Sequence, residues 1–306
     1  MKYLFQTKPF KHQGEVLQRS WNTYYWAYFM EMGTGKSKVC IDNAGILYER
    51  ELIDTFIVIA PKGVYRNWAT IEIPAHMPER IERKVVVWTS SPTKQEKTNL
   101  ELLLEPSETN NLRILLMNIE ALSTPKGTRY LDKVLDEGTC LLTVDESTSI
   151  KSPKARRTKA VIKLGKKAKY KRILTGFPVT QSPLDLWAQC NFLHPHLLGK
   201  DVGDNFFQFQ YRYAIMKKRS VGSHSFNMVV GYRNLESLSE IIKNFSSRVM
   251  KAECLDLPPK LYTQRHVQLT PDQQRLYTEI KEYALKELRQ DEEFVRNGHI
   301  YENVKS

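Results

Sequence analysis

Met30-Glu31-Met32-Gly33-Thr34-Gly35-Lys36-Ser37 is the stretch whose reading decides the fold. It follows the apolar run Tyr24–Met30 and opens the helix-like segment Lys36–Glu51, so it reads as the loop of a strand–loop–helix unit. Outward from it, short apolar runs recur at Phe56–Ala60, Lys84–Trp88, Arg113–Asn118, Cys140–Val144 and Arg172–Thr175. Most are apolar almost without interruption, as strands covered on both faces are. Helix-length segments separate them at Val64–Ile73, Lys94–Leu104, Arg129–Asp136 and Pro153–Leu164. The alternation predicts an α/β lobe of three layers, with a mostly parallel sheet between helices.

Past residue 200 the pattern changes. Asp201–Arg219 reads as an aromatic-rich helix, Val221–Ser225 as a turn, Phe226–Tyr232 as an apolar stretch and Leu235–Phe245 as a helix. Leu257-Pro258-Pro259-Lys260 breaks the chain, and Leu261–Leu269 alternates as a strand does. Thr270 and Pro271 suit the N-cap and first position of a last, highly charged helix.

The 306 residues carry 46 Lys+Arg against 34 Asp+Glu, a net charge of +12. Such an excess favours a polyanionic partner, nucleic acid being the commonest, although positive charge also serves solubility alone. Lys151–Arg172, KSPKARRTKAVIKLGKKAKYKR, is half basic and has no acidic residue. It reads either as a grip on a polyanion or as a solvated helix face. No apolar run approaches the roughly 20 residues that span a bilayer, and the polar start is no secretory signal, so no membrane partner is expected. Cys40, Cys140, Cys190 and Cys254 are widely spaced, which points to reduced thiols in a cytoplasmic setting, the host cytoplasm for a viral chain.

Three strings carry chemistry. Around Gly33-Thr34-Gly35, glycines let several backbone N–H groups converge on phosphate oxygens; Lys36 then reaches the β- and γ-phosphates, and the Ser37 hydroxyl suits Mg²⁺. The usual pattern has a glycine where Met30 stands, so the match is imperfect. Leu141–Ser147 ends a strand in two carboxylates. Asp145 suits the magnesium shell, and Glu146 suits the activation of water. Leu174–Thr180 ends another strand in a polar turn, which a parallel sheet would bring to the same edge.

In order, the chain shows Phe10-Lys11-His12-Gln13, EMGTGKSK, IVIAPKGVYRNWATIEI (Ile57–Ile73), LLMNIEAL, VDES and LTGFPVTQSPLDLWAQCNFLHP (Leu174–Pro195). Over residues 8–195 this resembles the first motor lobe of the Swi/Snf-type ATPases, superfamily-two helicase relatives that translocate on double-stranded DNA. Phe206–Lys260, with Arg248, Lys251 and LPPK, is similar to the inter-lobe segment of phage and bacterial members. The resemblance implies a RecA-like ATP-binding lobe over 1–200, a family-specific inter-lobe segment over 201–260, and a linker strand and helix over 261–306. It implies ATP and Mg²⁺ as cofactors. Gln13 would read the adenine edge, Met32, Gly33, Thr34, Gly35, Lys36 and Ser37 would hold phosphate, and Ser37 with Asp145 would hold the metal. Lys36, Asp145 and Glu146 would be catalytic, and Thr175 and Gly176 would couple phosphate state to lobe movement. Phe177 stands where a second threonine is usual, which weakens coupling through that position. Ser147 replaces a commoner small residue, a change expected to matter little. Lys62, Arg66 and Asn118 would face the DNA backbone; from the basic run, Lys151, Lys154, Arg156 and Arg157 would join them.

Motors of this type have a second RecA-like lobe, and only a strand and a helix fit after LPPK. The second lobe is therefore expected from further chain or from another chain, and these 306 residues alone should hydrolyse ATP poorly. Competing readings are a strand-separating helicase or restriction-type motor subunit, and a regulatory DNA-binding module that holds nucleotide without turnover. The Leu174–Pro195 string favours the translocase, and retention of Lys36, Asp145 and Glu146 argues against the inert module.

Overall fold

Successive residues of the apolar runs face opposite ways, and both ways are core. Ala27, Phe29, Ile57, Ile59, Leu115, Met117, Leu142 and Val144 enter one cluster, with Leu131, Val134, Val161 and Phe192 from flanking helices. Their neighbours Tyr28, Met30, Phe56, Val58, Leu116 and Leu141 enter a second, with Val16, Leu17, Val39, Ile41 and Trp68. A strand with two apolar faces needs a helical layer on each side, and the computed structural model has this three-layer arrangement. It describes residues 3–105, 111–200, 202–203, 205–221, 224–254 and 263–296.

The chain runs α1 (Lys11–Ser20), β1 (Tyr25–Met30), α2 (Lys36–Glu49), β2 (Thr55–Ala60), α3 (Tyr65–Asn67), a π-helical turn (Trp68–Glu72), α4 (Ile73–His76), β3 (Arg83–Val87), α5 (Lys94–Leu104) and β4 (Leu112–Asn118). It continues through α6 (Pro125–Asp136), β5 (Cys140–Asp145), α7 (Arg156–Gly165), β6 (Tyr170–Leu174), α8 (Leu186–Leu193) and α9 (Phe206–Tyr213). Then come a hairpin of β7 (Ala214–Val221) and β8 (His224–Tyr232), α10 (Leu235–Lys243), β9 (Ser246–Val249), α11 (Lys251–Cys254) and α12 (Pro271–Arg296). Among the described residues, seven strands form one sheet in the order β3-β4-β2-β5-β6-β1-β9, and every pairing in it is parallel.

The predicted α/β lobe is present, with three departures. Among the described residues the helix expected over Asp201–Arg219 is helical only at Phe206–Tyr213; Asp201 and Asp204 lie outside them, and from Ala214 the chain pairs with His224–Tyr232 instead. A cross-strand partner is information that local propensity does not carry. Leu261–Leu269 is no strand over its described part, residues 263–269, because alternation without a neighbouring strand leaves the backbone unpaired. Residues 261–262 and the Leu257–Lys260 break lie outside the described residues. Conversely, β9 was not expected: Ser246 and Ser247 are buried in it, and its sequence lacks the apolar run of the other strands. It completes the edge beside β1, pairing Met30 with Val249.

Two compact units are present, Met1–Ile215 with Val230–Asp256, and Met216–Val229 with Leu257–Ser306. The first holds the whole sheet. The second holds the outer part of the hairpin and α12, whose start is capped as expected: the Thr270 N–H donates to Gln273 Oε1 (3.0 Å) and the Gln273 N–H to Thr270 Oγ1 (3.4 Å). Along α12, Leu276, Tyr277, Ile280 and Tyr283 form an exposed apolar row. Among the described residues no helix is long and apolar enough to cross a membrane.

The basic run ends inside this fold. Lys171 and Arg172 belong to β6, and Arg172 is completely buried. Its guanidinium donates to Asn43 Oδ1 (2.9 Å) and to the carbonyls of Ser20 (2.9 Å), Thr23 (2.8 Å), Lys171 (2.8 Å) and Tyr24 (3.3 Å). These bonds staple the turn between α1 and β1 to α2. The Lys171 ammonium lies over the Tyr25 and Phe192 rings, and burial pulls its pKa down to about 8. Neither side chain is open to a surface partner. Arg172→Met should cost about 3 kcal/mol or more, because it strands several buried acceptors at once. Urea unfolding checks this as a lowered midpoint.

Candidate active site

A parallel sheet discharges all its strands at one edge, and the predicted residues gather there. β1 ends at Met30, which is fully buried and pairs with Val249. The missing glycine of the loop pattern is thus a strand residue that packs in the core, and no turn is needed at that position. The turn begins after it: Gly33 and Gly35 have φ of 85° and 86°, the left-handed region that a side chain strains. Thr34 fixes the bend through its N–H and its hydroxyl, both donating to the Glu31 carbonyl (3.1 and 2.7 Å). α2 follows at Lys36, with Ser37 in its first turn.

Gln13 clamps this loop. Its Nε2 donates to the Thr34 carbonyl at 3.1 Å, and its Oε1 accepts the Phe10 N–H at 3.0 Å. The neighbouring His12 ring also reaches the Thr34 carbonyl through Nε2, at 2.9 Å. A Cβ at Gly35 would meet the Gln13 amide, so a side chain there would push the clamp aside in addition to straining the φ.

At the end of β5 the two carboxylates part. Asp145 Oδ2 accepts the indole N–H of Trp68 at 3.0 Å, from the segment after β2. Glu146 takes φ 46°, ψ 59°, a left-handed conformation that costs a non-glycine residue on the order of 1 kcal/mol or more. Its N–H donates to Asp145 Oδ1 at 2.9 Å, and its Oε2 lies 3.5 Å from the Thr175 hydroxyl after β6. Since β5 runs between β2 and β6, one carboxylate leans to each neighbour.

The turn after β6 meets Glu146 and the loop after β1. Thr175 Oγ1 accepts the Phe177 N–H at 3.2 Å, so the backbone at Phe177 serves even though its side chain, 58% exposed, cannot hydrogen-bond. A Cβ at Gly176 would meet the Met32 nitrogen at 3.3 Å, which places this turn against the loop after β1. Gln189 braces the turn by donating to the Pro178 carbonyl (2.8 Å) while accepting from the Ser147 hydroxyl (2.7 Å). Ser147, expected to matter little, is therefore a buried tie between the acidic turn and this one.

The remaining predicted residues follow β2, β4 and β5, some exposed and some bonded to the protein. Lys62 and Arg66 follow β2 and are exposed; Asn118 ends β4 and donates to Glu120 Oε2 at 3.2 Å. After β5, Lys154 and Arg156 are exposed, Arg157 donates to the Ser149 carbonyl (2.8 Å), and Lys151 donates to Thr180 Oγ1 (2.7 Å) with Asp185 3.8 Å away.

Known proteins share this arrangement. Residues 28–303 match the SNF2-related domain. The chain belongs to the SNF2-related family. TATA-binding protein-associated factor BTAF1 of Arabidopsis thaliana is 27% identical over 265 residues, 84% of this chain and 12% of that protein. Human TATA-binding protein-associated factor 172 is 34% identical over 150 residues, 48% of this chain and 8% of that protein. This chain thus spans about an eighth or less of these relatives' length. The solved SWI2/SNF2 ATPase core of Sulfolobus solfataricus, in complex with double-stranded DNA, superposes with a TM-score of 0.61 at 23% identity, over 95% of this chain and 55% of that one. The fold is that of a RecA-like lobe of such a core.

Two features of this SNF2-related site were not assigned from the sequence. Trp68 lies within the Ile57–Ile73 string, where no role marked it; the rare π-helical turn that begins at it leaves no trace in residue periodicity. Gln189 lies within the Leu174–Pro195 string, where no role marked it either; a polar residue among apolar neighbours was its available signal. Asp145 is 95% buried, and burial pushes its pKa up to about 6; the Trp68 indole pulls the other way, and the Glu146 charge adds to the rise. A carboxyl raised in the folded state binds more protons there than when unfolded. Its cost is therefore absent below about pH 4, grows through pH 4–6 and is complete above. In metal-free buffer, Asp145→Asn should stabilise the chain at about pH 7.5 by on the order of 1–3 kcal/mol, with the gain vanishing by about pH 4. Thermal unfolding across that range tests both size and sign.

Proposed function

We propose that this chain is the ATP-binding lobe of a DNA-dependent ATPase that translocates on double-stranded DNA. The observation that carries the reading is the convergence, on one sheet edge of an SNF2-related fold, of the left-handed glycine loop, the Asp145–Glu146 turn and the Thr175 turn. The solved neighbour that shares the fold is an ATPase core bound to double-stranded DNA, which supports the choice of partner.

The residues fit a magnesium-bound nucleotide. Gly33 and Gly35 hold the loop in the left-handed turn that lets backbone N–H groups converge on an anion, and Asp145 is a carboxylate whose burial disfavours its charge until a cation shares it. In this reading the Met32–Gly35 backbone holds phosphate, Lys36 neutralises the terminal phosphates, and Ser37 with Asp145 holds Mg²⁺. The metal, when bound, offsets charge on the phosphate oxygens. Glu146 orients and deprotonates the attacking water, held in line by Thr175. Gln13 uses one N–H and one lone pair on the protein, which leaves one donor and one acceptor for an adenine edge. Thr175 and Gly176, seated between Glu146 and the phosphate loop, carry phosphate state outward.

A second lobe belongs to the same reading. The chain spans 55% of the solved ATPase core, and the apolar row of α12 suits burial against another body. An arginine finger from a second lobe is worth about 10³-fold or more, so this chain should turn over slowly. Purified chain should bind ATP, and Lys36→Ala should abolish binding. Glu146→Gln should leave binding intact and remove residual hydrolysis. Fast turnover stimulated by duplex DNA from this chain alone would overturn the two-lobe part.

Lys62, Arg66, Asn118, Lys151, Lys154, Arg156 and Arg157 are proposed to hold DNA phosphates, a grip that needs no base reading. Each DNA phosphate that no longer meets a protein cation should lower the slope of log K against log salt by about 0.9. Lys154→Glu with Arg156→Glu should therefore flatten the slope by the worth of roughly two phosphates, measured by fluorescence anisotropy on a duplex. An unchanged slope would remove these residues from the interface.

A further inference from the structure

The edge strand that the sequence hid brings one more cation to the phosphate loop. β9 follows β1 in register to Met30–Val249, and the Glu31 N–H continues the ladder by donating to the Val249 carbonyl at 2.9 Å. The chain then turns at Met250, and the Lys251 N–H donates to Glu31 Oε2 at 2.8 Å. With its backbone anchored to the loop's first residue, the Lys251 side chain lies across the loop itself. A Cβ at Gly33 would stand 3.2 Å from Lys251 Cε and 3.5 Å from Nζ. Among the described residues no carboxylate comes within ion-pair distance of that ammonium. By contrast, the buried Lys38 pairs with Asp42 at 2.9 Å, and the half-buried Lys151 meets Thr180 and Asp185. A half-buried cation held beside converging phosphate-binding backbone, with its charge unmatched, is matched by a polyphosphate.

We propose that Lys251 is a second phosphate-binding lysine, reaching the nucleotide's β- and γ-phosphates from the far side of the loop to Lys36. This rests on the nucleotide reading and deepens it. Lys36 is carried by α2, inside the lobe, whereas Lys251 is carried by the segment that leaves the sheet. Just before it in the chain, Arg248 donates to the Gly176 carbonyl at 3.0 Å, so the same corner also holds the Thr175–Gly176 turn. A phosphate drawn onto Lys251 is thereby connected to both the loop and that turn through β9.

The test is calorimetric titration of the full chain with ATP, ADP and AMP in the presence of Mg²⁺, using wild type, Lys251→Ala, Lys251→Arg and Lys36→Ala. Lys251→Ala should weaken ATP about tenfold, the usual worth of one charge-assisted hydrogen bond, weaken ADP less and leave AMP unchanged. Lys251→Arg should recover most of the loss. Each variant keeps the backbone bond to Glu31, and an unchanged thermal midpoint verifies the fold; should Lys251→Ala unfold, the same gradient from ATP to AMP is required of Lys251→Gln. Equal losses for ATP and AMP would make Lys251 merely structural, and tighter ATP binding would make it a plug on the loop; either overturns the inference. Wild type that binds no ATP would overturn the nucleotide reading along with it. Wild-type binding lost in Lys36→Ala but kept in full by Lys251→Ala and Lys251→Gln would overturn this inference alone.

Discussion

Parallel pairing is the constraint on which the rest depends. Because all seven strands run the same way, each delivers the residue after it to one edge, whatever its place in the sequence. Residues as distant in the chain as Gly33, Asp145, Thr175 and Lys251 come to one edge by this rule, and the strand order decides which of them meet. The cost is burial on both faces, which explains why the strand runs are apolar without alternation and why two separate cores are needed. Arg172 shows how tightly that requirement binds: a charged residue in β6 is tolerated only with its guanidinium hydrogen-bonded on every side.

Within that edge, the site divides by neighbours. The bond from Trp68 makes Asp145 a fixed, buried group, suited to holding a position rather than moving. Glu146, one residue on, sits in a strained turn and meets Thr175 at 3.5 Å, the far limit of a hydrogen bond. A short bond would fix Glu146 as firmly as Asp145. The long one leaves Glu146 less firmly held than its neighbour.

How much of this could be read from the residues follows from the range of the interactions involved. The loop, the acidic turn and the Thr175 turn each pair a strand signal with glycine or carboxylate chemistry inside one short string, so they were legible. The six parallel strands that precede residue 176 were legible for the same reason. β9 was not, because its membership in the sheet is decided by the open edge of β1 and not by its own Ser-Ser-Arg-Val text. The helix expected to run to Arg219 failed likewise: Ala214 onward has a partner in β8 that no local window contains. Trp68 was passed over, and Lys251 was named only within the inter-lobe resemblance, because their contacts cross the edge at sequence distances that pattern reading does not span.

The missing glycine at Met30 joins these two kinds of information. Read locally, it weakened the phosphate loop, because a flexible residue was absent from a pattern that asks for one. In the fold, Met30 is the last residue of β1, fully buried and held by Val249, so the turn starts later and is tighter. A glycine there would weaken the strand that carries β9. The lobe thus exchanges freedom at the loop's first position for a firm edge, and that edge is what brings Arg248 and Lys251 to the Gly176 turn and the glycine loop. The departure from the pattern and the extra strand are one structural decision seen from two ends of the chain.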